Sequence, residues 1–132
     1  MLKLLTVMGL LAAITSCAEQ FDHDVDLARK GAVEFAEAAF VRRNMDKGHA
    51  LLADKARSYV PLDKFTEKVK QMHRSGYPDK ITALDVVPVK GEKLVHVRLR
   101  GRGSEGSFEY ALALSGTRDT GYRVTIFNGG SS

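Results

Sequence analysis

The feature that most constrains this chain is a change of hydrophobic period between Met72 and Ile81. Before it, apolar residues return every three or four positions; after it, they alternate or run β-branched. The first spacing puts apolar side chains on one stripe of a helix, and the second puts them on one face of a strand. Helices followed by strands, without interleaving, argue against a parallel α/β sheet and predict an α+β domain.

Ala28, Ala32, Phe35, Ala36, Ala39 and Phe40 predict a first helix over residues 25–43. Asp24 or Asp26 caps it, and Arg42 and Arg43 suit its negative end. Residues 46–53 predict a short second helix that buries Leu51 and Leu52. Pro61 opens a third, with Leu62, Phe65, Val69 and Met72 as its stripe, and Gly76 and Pro78 stop it. His49 and His73 have no partner at ligand spacing and read as surface or boundary residues.

Residues 81–89, 94–100, 107–114 and 122–127 predict four strands with glycine-containing turns between them, an antiparallel meander. A tight turn at Lys90-Gly91 pairs Val86 with Val95 and Leu84 with Val97. A turn centred on Ser104-Glu105 pairs Leu99 with Tyr110, and one centred on Arg118 pairs Leu112 with Val124 and Tyr110 with Ile126. This register gathers Leu84, Val86, Val95, Val97, Leu99, Phe108, Tyr110, Leu112, Leu114, Tyr122, Val124 and Ile126 on one face, which the three helices must cover. The other face receives Asp85 opposite His96, Glu109 opposite Arg100, and Arg98, Arg123, Leu94 and Phe127. Asp85, His96, Arg98, Arg100 and Arg123 form a candidate polar site there, and Leu94 and Phe127 leave room for an envelope protein partner or a second copy.

The length of 132 residues fits one domain, and 44% hydrophobic residues suffice for a core. One cysteine excludes an intrachain disulfide framework and a cysteine-based zinc site. Asp22, Asp24 and Asp26 alternate like the start of an EF-hand loop, but Leu27 stands where glycine is needed and Val33 where glutamate is needed, so no metal is expected. Gly101 to Gly106 spells G-x-G-x-x-G between two strands, with no helix to meet a pyrophosphate, so it reads as a hairpin loop and no cofactor is expected.

The N-terminus holds Lys3, an apolar run from Leu4 to Ile14, then Thr15-Ser16-Cys17. This is the layout of a secretory signal. Ile14-Thr15-Ser16-Cys17 resembles the bacterial lipobox. The resemblance implies a signal peptide over 1–16, diacylglycerol on Cys17, a lipidated tether over 17–24, a domain over 25–128 and a tail over 129–132. It also implies an exported protein held to a bacterial membrane. Ala18, where an aspartate would favour the inner membrane, points to the outer membrane with the domain facing the periplasm. Removing residues 1–16, with their single charge at Lys3, leaves 116 of 132 residues and lowers the formal charge from +4 to +3. So small and dispersed a charge does not suggest a nucleic-acid partner.

Three helices followed by a curved meander ending Tyr122-Arg123-Val124-Thr125-Ile126 resemble the nuclear transport factor 2-like (cystatin-like) superfamily over residues 25–128. The resemblance implies helices packed on one face of the sheet. It admits isomerases, dehydratases and cyclases as well as many non-enzymes. Enzymes of that group carry acids, histidine or tyrosine under the helices, where the register here supplies Tyr110 and Tyr122 alone from the sheet. The expected function is therefore a non-catalytic, membrane-anchored binding or assembly module. The alternative is a pocket for a small apolar ligand lined by Phe35, Phe40, Leu99, Tyr110 and Tyr122, and an isomerase- or cyclase-like enzyme ranks below it.

Overall fold

Asp24 breaks the extended N-terminal segment by accepting the Leu27 N–H on its carboxylate at 3.1 Å, which starts helix α1, Val25–Ala36. The computed structural model describes residues 20–131; the expected signal peptide and Cys17 lie outside the described residues. Beyond Ala36 the helix widens into a π turn, Glu37–Val41, closed by the Arg42 N–H on the Glu37 carbonyl at 2.9 Å. The sequence predicted an unbroken helix to residue 43. The wider turn instead brings Ala38, Ala39 and Phe40 all into the core.

Asn44 caps α2, Met45–Ala50, by accepting the Lys47 N–H. Gly48 faces the π turn and Phe65: a Cβ there would lie 2.9 Å from the Ala39 Cβ and 3.1 Å from the Phe65 ring. Only glycine lets the two segments approach this closely. A further helix, α3, Asp54–Tyr59, occupies the expected link to Pro61. None of its residues is buried, so no apolar period announced it. Helix α4, Leu62–Met72, follows Pro61 and buries Phe65 and Val69.

Strands β1 (Lys80–Pro88), β2 (Leu94–Gly103), β3 (Gly106–Thr117) and β4 (Gly121–Ser131) form one antiparallel sheet in chain order. The sheet is curved and unclosed, and the helices cover one face, so the molecule has the expected α+β architecture. Pairing of β2 with β3 follows the sequence register: Leu99 faces Tyr110, Val97 faces Leu112 and Arg100 faces Glu109. The outer pairings differ. Val86 lies opposite Val97, not Val95, and a bulge between Ala83 and Asp85 moves Leu84 out of the ladder and turns Ala83 to the core. On β4, Val124 pairs with Leu114, not Leu112. A second irregularity then sets Phe127 opposite Leu112, buried, and Ile126 opposite Ala113, 53% exposed. Each bulge inserts one residue, and one residue reverses which side chains face the core. The expected tail is also paired: Gly129, Gly130 and Ser131 extend β4 against Tyr110, Glu109 and Phe108.

Candidate functional site

The covered face holds one ionisable pair that the sequence pattern missed. His73 ends α4 and is 3% exposed. Its Nδ1 lies 2.7 Å from the Val69 carbonyl and its Nε2 lies 2.8 Å from the Tyr110 hydroxyl. A carbonyl only accepts, so Nδ1 carries the proton and Nε2 accepts from Tyr110. The imidazole stacks on Tyr77 at 4.6 Å and 9°, and the Arg43 guanidinium sits 4.2 Å over the Tyr77 ring. Burial lowers the His73 pKa below the usual histidine value. The hydrogen bond to Val69 opposes that shift, and the charge of Arg43 adds to it. Burial also pushes the Tyr110 pKa up, so its hydroxyl keeps its proton. A four-residue step from Phe65 through Val69 to His73 was the available signal: it continues the buried stripe by one turn.

Neither group is free for chemistry on a substrate. Both imidazole nitrogens are engaged, and among the described residues no buried side-chain nitrogen or oxygen lacks a hydrogen-bond partner. A general base must reach the proton it removes, and this one is sealed behind rings. Four of the five expected pocket residues, Phe35, Phe40, Leu99 and Tyr110, are buried in the same core. Phe40 stacks on Tyr110 at 4.6 Å, and Phe35 meets Phe40 edge-on at 5.7 Å. Their side chains fill the space between helices and sheet.

Tyr122 stands apart from them. Its hydroxyl accepts the Asp24 N–H at 2.9 Å and lies 2.9 Å from His23 Nδ1. Around it residues 21–24 are clasped to two turns of the sheet. His23 Nε2 lies 2.7 Å from the Glu92 carbonyl, so it carries the proton and Nδ1 accepts from Tyr122. The Arg118 N–H donates to the Asp22 carbonyl at 2.9 Å, and the Arg118 side chain pairs with the Asp22 carboxylate at 3.0 Å. Lys93 lies over the Phe21 ring. The end of the expected tether is thus held against the domain.

The outer face corrects the sharpest expected pair. Asp85 lies opposite Arg98, not His96, and Arg98 Nε donates to its carboxylate at 2.8 Å. His96 faces Val87 and Ala113 instead. Arg98 also reaches Glu109 at 3.4 Å, and Arg100 reaches Glu109 at 3.8 Å. Arg123 turns away and donates to the Ala50 carbonyl at 2.8 Å. The five residues therefore do not converge: two arginines share two carboxylates, and His96 and Arg123 belong elsewhere. Pairs as exposed as these contribute about 0–1 kcal/mol each. The G-x-G-x-x-G segment is a hairpin turn, with Gly103 paired to Gly106.

A groove of about 470 Å³ runs between α3 and the sheet, lined by Ala53, Ala56, Tyr59, Val60, Ser115 and Thr125 among others. Among the described residues no group of three or more histidine, cysteine or acidic side chains could hold a metal ion, and no helix is long and apolar enough to cross a membrane. No family model matches the chain, and neither a curated protein nor a solved structure matches it.

Proposed function

We propose that the chain is an exported lipoprotein, acylated on Cys17, whose domain is a non-catalytic binding or assembly module of the cell envelope. The observation that carries this reading is Lys3, the eleven-residue, mostly apolar run Leu4 to Ile14, and the Thr15-Ser16-Cys17 that follows it. Such a run is shorter than the ~20 residues that span a bilayer, so it fits a removable signal better than a retained helix. Each buried methylene of an acyl chain contributes about 0.8 kcal/mol, so two or more chains on Cys17 make a durable anchor. Ala18 favours the outer membrane. The non-catalytic reading is supported by the interior, where His73 and Tyr110 are both satisfied and enclosed. Membership of the nuclear transport factor 2-like superfamily is part of the proposal and is supported by the helices-then-meander order.

A second reading, binding of a small apolar ligand, is favoured by the groove beside α3 and not by the interior, which its own rings fill. Labelled fatty acid supplied to cells expressing the protein tests the anchor. The wild type takes up label and fractionates with membranes, and Cys17→Ala takes up none. Label retained in Cys17→Ala defeats the proposal.

A further inference from the structure

The clasp over residues 21–24 holds Phe21 at one end of the domain. Phe21, Asp22, His23 and Asp24 contact Lys93, Glu92, Arg118 and Tyr122, which belong to the β1–β2 and β3–β4 turns and their flanks. Those two turns share one end of the meander, and the β2–β3 turn at Ser104-Glu105 occupies the other. From Cys17 to Phe21 the chain is four residues long and spans at most about 14 Å. The ten residues of β2 set the two ends roughly 30 Å apart.

Resting on the acylation of Cys17, we infer that the β1–β2 and β3–β4 turns are the domain's membrane-facing surface, with a lipid bilayer as their partner, and that the β2–β3 turn points away from it. The clasp makes the tether too short for the domain to turn over. Attraction to charged lipid does not hold it there: Lys90, Lys93 and Arg118 at this end are offset by Asp22, Asp24, Glu92 and Asp119. The orientation therefore needs no anionic lipid and resists salt. The surface left for a protein partner is the far end, around Arg102 and Glu105, together with the open face of the sheet.

Acylated protein in phosphatidylcholine vesicles tests this. In that protein the Cys17 thiol is consumed, so Lys90→Cys, Asp119→Cys or Ser104→Cys supplies a unique thiol for a fluorophore. Nitroxide-bearing lipid should quench the labels at 90 and 119 several-fold more strongly than the label at 104. Tyr122→Phe, which removes two bonds of the clasp, should narrow that contrast. Equal quenching at all three positions, stronger quenching at 104, or a contrast unchanged by Tyr122→Phe overturns the inference. Intact mass is measured first: a mass without diacylglycerol refutes the lipoprotein reading itself and so separates the two failures.

Discussion

The two faces of one sheet handle polar groups in opposite ways. On the covered face each imidazole nitrogen of His73 has one fixed partner, the Val69 carbonyl or the Tyr110 hydroxyl, and Phe40, Tyr77 and Phe108 enclose the ring. On the outer face Asp85, Arg98, Glu109 and Arg100 share partners and stay half-exposed. Burial makes a lost bond costly because water cannot replace it, whereas at the outer face water stands ready. The covered side thus sets which structure forms, and the outer side is open to replacement.

The largest expected effect tests the covered face directly. Phe40 touches Phe35, His73, Tyr110 and Phe127, and Phe40→Ala should cost about 3–5 kcal/mol in urea unfolding. A cost below 1 kcal/mol would mean that the interior closes over the gap and is not tightly specified.

Acid should act next. The folded His73 pKa lies below its unfolded value of about 6.5, so the unfolded chain binds the proton more readily. Stability is then fully present above about pH 6.5 and is lost as pH falls below it. Arg43, Tyr77 and Tyr110 face the ring, and among the described residues no carboxylate acts on its pKa to offset the new charge. Thermal unfolding between pH 7.5 and 5 should show a falling midpoint, and His73→Phe should flatten the slope. An equal slope in that variant would assign the acid sensitivity to another group.

The smallest effect belongs to the outer face. Arg98→Ala breaks contacts to both Asp85 and Glu109, yet it should change stability by at most about 1 kcal/mol, and less at high salt. A loss above 2 kcal/mol would erase the contrast between the faces.

Legibility in the sequence followed the same local logic. The β2–β3 register was readable because Gly103 and Gly106 flank a two-residue turn and both strands alternate cleanly from it. The other two pairings were not, because Ala83-Leu84 and Ile126-Phe127 set apolar residues side by side, and alternation cannot say which turns inward. The bulges decide it, and a bulge has no composition of its own. Asp85 met another partner for a different reason: the β1–β2 loop spans Lys90 to Lys93 and not two residues, which slides the pairing by two. His73 was missed for another reason: as a polar residue closing an apolar stripe it looked like a helix end, and its partner Tyr110 lies 37 positions away.

The π turn at Glu37–Val41 has a consequence for lineage and engineering alike. Phe35 and Phe40 are five residues apart, and at about 100° per residue a regular α-helix would point them some 140° away from each other. The wide turn absorbs most of that angle and lets one helix deliver both rings to the same aromatic cluster. Deleting a single residue between them would regularise the helix and leave the rings four apart, about 40° from each other, so both would still face the cluster. The wide turn thus accommodates one residue more than the pairing of the rings needs.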